Sequence, residues 1–282
     1  MNTLKDFNLI DIEESIYKKL NNTCDMNQEA ADYINNNLNQ ISSFGSEEER
    51  GIISQGEKTI QDINSSILIS AIPLINKIID TFGKTSLGSL KSAGLASVIP
   101  FHSPLKQHER NLLNTEKIYS EFLQQREDYL KAMEFFNSIQ IKQIEKLEKI
   151  DKSILLGKCI HHQLSNNPEK YIKELTTLQE RIFQMEITKN IPLQIISKIQ
   201  GVIEIINSII ELINNNLNPD FSLYISNYKN AIFLLNNKKT LEKPEKLQLL
   251  YQNILRDIKT LEIIDEDLED KFNDLKKAGP LF

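Results

Sequence analysis

IISKIQGVIEIINSIIELI, residues 195–213, decides the fold. From Ile195, apolar residues follow at Ile199, Val202, Ile206, Ile209 and Ile213 in alternating steps of four and three. Ile196, Ile203 and Ile210 make a flanking stripe. That period puts one wide apolar face on a helix, whereas a strand would scatter the same side chains over both faces. β-Branched isoleucine leans slightly toward strands, and the period overrides the propensity. Lys198, Glu204 and Glu211 place charges inside the stretch. Each would cost about 2.5–3.5 kcal/mol near a bilayer centre, so the stretch reads as a core helix rather than a membrane span.

Outward from this helix the same pattern recurs. No strand alternation, hairpin signal or fixed-period repeat stands out. The expected fold is all-α, an elongated bundle of long antiparallel helices. Gly and Pro are scarce, nine and eight in 282 residues, and five of them fall in residues 83–104, GKTSLGSLKSAGLASVIPFHSP. This small-residue connector is expected to separate two long helical arms. The first arm runs from about Ser46 to Asp80, with a kink expected at Pro73. The second begins after Pro104 and meets neither Gly nor Pro before Gly157. Within it Phe122, Tyr129 and Phe136 recur at seven, as do Met133, Leu147 and Ile154 with Gln140 in the gap, a seam facing other helices. Arg126, Gln140 and Gln143 are expected at the solvated margin of that seam. Asn clusters at 21–22, 35–37, 166–167, 214–216 and 236–237 read as helix ends, because Asn tolerates left-handed backbone and competes with helical hydrogen bonds. Helices are thus expected up to about Leu20 and over 28–41, 169–189, 220–235 and 244–277. Three regions follow: an N-terminal helical segment over 1–45, the long arms over 46–165, and a C-terminal helical part over 166–282.

A net charge of −6 and a sequence pI near 5.4 argue against a phosphate-binding surface, which needs clustered Lys and Arg. No nucleic-acid partner is expected. The opening residues, MNTLKDFNLIDIEES, are acidic and lack the apolar core of a signal peptide, which points to the cytoplasm. Cys24 and Cys159, far apart in sequence, read as reduced thiols. Gly51 and Gly56 have phosphate-loop separation, but Glu57 precedes Lys58-Thr59 and SEEER stands where a buried strand is needed. Cys159 and His162 share a helical face, and two ligands do not close a zinc site. No catalytic residue, metal site or cofactor is assigned, and the chain is not expected to be an enzyme.

Residues 63–101 are apolar, rich in small residues and weakly basic through Lys77, Lys84 and Lys91. A segment of this kind between long helices resembles the membrane-seeking part of pore-forming toxins of the haemolysin E type. Leu87, Leu90, Leu95, Val98, Ile99 and Phe101 are its candidate contacts with a membrane or a partner. A second resemblance rests on Ile41-x-x-Phe44-Gly45 before an acidic helix start, on Ile99-Pro100-Phe101 before a long helix, and on Gln200-Gly201 ahead of Glu211-Leu212-Ile213. These residues are similar to the TelA-like toxic-anion (tellurite) resistance family. The Ala/Thr-rich C-terminal region of that family has no counterpart after Asn214. The resemblance implies an all-helical cytoplasmic protein of stress tolerance without an assigned reaction. The expected role is a non-enzymatic interaction protein acting through a protein partner or self-association, and the alternative is a pore-forming protein that inserts residues 63–101 at a membrane surface.

Overall fold

The computed structural model describes residues 23–66, 71–96, 104–241 and 243–277, with side chains for all of these except 23–25, 94–96 and 104. Of the described residues 91% are helical and none lies in a strand, which makes the protein an all-α helical bundle. The elements run α1 (Thr23–Asn37), a 3₁₀ turn (Leu38–Ser43), α2 (Ser46–Ser65), α3 (Ile72–Gly83), α4 (Leu87–Ala96) and α5 (Pro104–Leu164). After a non-helical turn come α6 (Ile172–Thr188), α7 (Asn190–Leu212), a π-helical turn (Ile213–Leu217), α8 (Asn218–Asn236) and α9 (Pro244–Lys277). The helix expected up to Leu20 lies outside the described residues.

The isoleucine helix is α7, and its stripe is core: Ile199, Val202, Ile206, Ile209 and Ile213 are all fully buried. Phe122, Tyr129, Phe136, Leu147 and Ile154 of the seam on α5 are buried too. Four details depart from the sequence reading. The first arm is not one kinked helix. Ser66 turns extended, with φ −74° and ψ 145°, and Pro73 sits in the first turn of a separate α3, where its missing N–H is tolerated. The connector contains a helix of its own, α4, with Leu90 fully buried. Asn214 to Asn216 do not end a helix. The Asn218 N–H bonds the Ile213 carbonyl five residues back, and this widened turn carries the chain past Pro219, whose ring would clash with the carbonyl four residues earlier in an α-helix. Finally, Gln140 and Gln143 are buried rather than solvated. Gln140 Nε2 donates to Gln200 Oε1 at 2.9 Å and Gln143 Nε2 to Thr59 Oγ1 at 2.9 Å, so each amide finds a partner that water would otherwise supply. Arg126 is half-buried, donating to Asn214 Oδ1 at 3.0 Å and pairing with Glu127 at 2.5 Å.

Two compact units, each gathered from distant segments, make up the chain. The first comprises the described residues of 1–67, 135–201 and 273–282. Its organising turn is Phe44-Gly45 between the 3₁₀ turn and α2. Gly45 has φ +70°, and a Cβ there would stand 2.1 Å from Met185 Sδ of α6, so only glycine fits on both grounds. Phe44 packs edge-on against Tyr33 and lies 2.9 Å from where a Cβ of Gly157 would be. Arg181 of α6 then clamps the turn. Its Nε donates to the Phe44 carbonyl at 3.0 Å, its Nη2 donates to Ser46 Oγ at 3.1 Å, and it pairs with Glu49 in the first turn of α2. A second ion pair, Lys189 to Asp151 at 3.0 Å, is largely buried.

The second unit comprises the described residues of 68–134 and 202–272. Here the buried carboxylate of Asp265 on α9 accepts the Ala71 N–H at 2.9 Å, at the N-terminal boundary of α3, and the Tyr129 hydroxyl of α5. One side chain thus satisfies an otherwise orphan helix-start donor and a buried phenol. Phe82 stacks on Tyr251, with ring centroids 4.8 Å apart, and Tyr119 stacks on Phe221 at 3.9 Å. Aromatic pairs of this kind add about 0.5–1.5 kcal/mol beyond their burial.

Replacing Ile206, fully buried in this second unit, with alanine is expected to cost about 2–5 kcal/mol through lost transfer energy and a residual cavity. Chemical denaturation measures it. An unchanged midpoint and slope would show that the stripe is not core.

Candidate functional site

Of the side chains singled out in the connector, Leu87 and Leu90 are buried, so α4 presents them to the bundle and not to solvent. The Leu95 side chain and residues Val98, Ile99 and Phe101 lie outside the described residues. The Gly51–Thr59 segment is the middle of α2, with no preceding strand. Gly56 lets the helix approach α7, where an added Cβ would meet Ile191 Cγ2 at 3.3 Å, and Thr59 is the partner of Gln143. Gly56 serves packing. Cys159 is half-exposed on α5, and among the described residues no group of three or more His, Cys, Asp or Glu is placed to hold a metal ion. Of the motifs quoted for the family resemblance, Ile41 is buried and Phe44-Gly45 forms the clamped turn of the first unit. Gln200 accepts from Gln140, and Ile99-Pro100-Phe101 lies outside the described residues.

Polar groups buried in the second unit act on structure. The Tyr224 hydroxyl donates to the Thr85 carbonyl at the start of α4, and Tyr119 donates to Asn218 Oδ1 at 3.3 Å. Burial raises the pKa of Tyr119, Tyr129, Tyr224 and Tyr228 far above the ordinary phenol value, so all four hold their protons and act as donors. His108 of α5 is the exception in kind, because its side chain is an imidazole, whose ordinary pKa is near 6.5. Its Nδ1 lies 2.8 Å from the Tyr228 hydroxyl and its ring also bonds the Ser89 backbone, joining α5 to α8 and α4. Burial lowers its pKa, with the Ser89 bond opposing, which favours the neutral ring; with the other ring nitrogen bonded at Ser89, Nδ1 accepts the hydrogen bond that the Tyr228 hydroxyl donates.

An open groove of about 540 Å³ lies between α8 and the start of α9 in the second unit. On α8 it is lined by Leu223, Asn227, Asn230 and Leu234, spaced four, three and four, one face of the helix. Leu247, Leu249 and Leu250 line it from α9. Leu223 and Leu249 are 52% and 58% exposed, so this apolar face is presented to solvent rather than closed. The chain turns at the end of α8. Lys239 N–H bonds the Leu234 carbonyl at 2.9 Å and Lys238 N–H bonds the Leu235 carbonyl at 3.0 Å, closing α8 as a Schellman turn. The left-handed position of that turn, usually glycine, is Lys238 at φ 54°, and Lys243 is also left-handed at φ 48°. Lysine there costs about 1–2 kcal/mol over an unstrained residue. Lys243 and Lys246 line the groove, Lys238 and Lys239 precede them in sequence, and among the described residues none of the four forms an ion pair.

Sequence reasoning missed this groove. Its signal was present in two places: the stripe Leu223, Asn227, Asn230, Leu234, and the run NNKKTLEKPEK with its four lysines in an acidic chain. An outward stripe also remains on α6 of the first unit, where Ile172, Phe183 and Ile187 are 70%, 60% and 48% exposed. One helical stretch among the described residues, Ile172–Asn236, is long and apolar enough to cross a membrane by length and composition. No family model, curated protein or solved structure matches the chain.

The His108 contact predicts a pH dependence. Its folded-state pKa lies below the ordinary value near 6.5, so the unfolded chain binds the proton first as pH drops. Stability is therefore full above that ordinary value, falls as pH passes through it toward the folded value, and levels off below. Between about pH 7.5 and about pH 5.5 the melting temperature of the wild type is expected to drop further than that of His108→Gln. Parallel curves would remove His108 from the account.

Proposed function

We propose that this chain is a non-enzymatic helical interaction protein of the TelA-like type, working in the cytoplasm in toxic-anion or stress tolerance through protein partners or copies of itself. The observation that carries the reading is the open groove of the second unit, which presents Leu223 and Leu249 to solvent from its two walls while the aromatic core of the same unit is closed. A groove between two helices with exposed leucines on both walls can seat a helix in the helix-in-groove mode. The buried polar groups support it from the other side. Asp265, Gln143, Tyr224 and Arg181 each hold a helix end or a neighbouring helix. The net charge of −6 argues in the same direction, since it gives no broad basic surface for phosphate backbones. The family label rests on the resemblance of Ile41-x-x-Phe44-Gly45, Ile99-Pro100-Phe101, and Gln200-Gly201 ahead of Glu211-Leu212-Ile213, and brings with it no reaction.

The alternative, a pore-forming protein inserting residues 63–101, makes the opposite forecast for lipid. Purified protein at submicromolar to micromolar concentration is mixed with dye-loaded liposomes of anionic lipid, and its solution mass is followed beside it. The interaction reading expects no dye release and a mass unchanged by liposomes. Release at submicromolar protein would overturn it in favour of the pore.

A further inference from the structure

The groove carries more than an unspecified contact. We propose that it is a docking site for an acidic amphipathic helix supplied by a partner protein, an inference that rests on the interaction reading above and names the chemistry of the partner. Three observations converge on that occupant. The floor is helix-spaced with a leucine at each end: Leu223, Asn227, Asn230 and Leu234 span twelve residues of α8, eleven steps, about 16 Å or three turns. A helix laid along it would offer side chains at positions one, four or five, and eight to that face. The rim carries more lysine than acid. Lys243 and Lys246 line the groove, Lys238 and Lys239 precede them in sequence, and none of the four forms an ion pair among the described residues; Glu245, which does not line the groove, is the described acid of this run. Carboxylates on the flank of the incoming helix complement that rim, steering encounter and fixing orientation.

The floor also discriminates against a lipid chain. Asn227 and Asn230 set two amides midway along it, and an acyl tail would bury them without hydrogen bonds, whereas polar side chains of a docked helix satisfy them.

Fluorescence anisotropy of the full chain with two labelled designed peptides tests this. Both place leucines at helical spacing on one face; one carries glutamates on its flanks and its twin carries lysines at the same positions. The glutamate peptide is expected to bind saturably and at least tenfold more tightly than its twin, with the gap shrinking as salt screens the rim. Leu223→Glu and Leu249→Glu, at positions more than half exposed, should each weaken it at least tenfold with the fold intact. The double variant Lys243→Glu with Lys246→Glu should reverse the preference between the twins, a readout that misfolding cannot produce. Equal binding of the twins, or binding that survives Leu249→Glu, would overturn the groove assignment while leaving an interaction role intact. Self-association lost in Leu249→Glu, with neither peptide bound, would make a second copy the occupant. Saturable oleate binding that displaces the glutamate peptide would make the groove a lipid site. Both outcomes reject the proposal, and only the liposome result rejects the interaction reading beneath it.

Discussion

A single buried carboxylate holds three distant parts of the second unit in register. Asp265, 1% exposed, takes the N–H of Ala71 at the head of α3 and the hydroxyl of Tyr129 on α5. The constraint is electrostatic and geometric together. A carboxylate removed from water must recover several kcal/mol of solvation from donors aimed at it. It therefore fixes where α3 begins and how α9 is rotated against α5. The aromatic stack of Phe82 on Tyr251 and the Tyr224 bond to Thr85 follow from that placement, because each joins the α3–α4 segment to α8 or α9 of the same unit. The groove depends on it in turn, since its α9 wall is the N-terminal part of the helix that Asp265 anchors.

The first unit solves the same problem with a cation. Arg181 uses its fork of donors to bind a carbonyl, a hydroxyl and a carboxylate around the Phe44-Gly45 turn, which is the geometry arginine offers and lysine does not. Glycine at 45 is then required twice over, by its positive φ and by the thioether of Met185. In both units a bundle of smooth aliphatic faces is given a unique register by a few fully partnered polar groups, a specifying role that buried polar residues fill in several helical systems.

What the sequence discloses and what it conceals divide along a physical line. The isoleucine stripe of α7 and the start of α9 at Pro244 were legible, because period and helix-end chemistry are local. The π-helical turn at 213–217 was not. Asn214 to Asn216 and Pro219 carry the chemistry of a helix end, and only tertiary burial of Ile213 and Leu217 keeps the backbone helical through them. Gln140 and Gln143 were placed at a solvated margin for the same reason: a glutamine beside a heptad seam looks the same whether its partner is water or Thr59. The groove required knowing that α8 and α9 lie side by side, and no local pattern in either helix states that.

The most direct test of the account is a double-mutant cycle on Asp265 and Tyr129, measured by equilibrium denaturation of Asp265→Asn, Tyr129→Phe and the double variant. If the carboxylate organises the unit through this contact, each single change destabilises, and the two couple by about 0.5–3 kcal/mol because the second removes a group already left without its donor or acceptor. Effects that simply add, within about 0.5 kcal/mol, would contradict it.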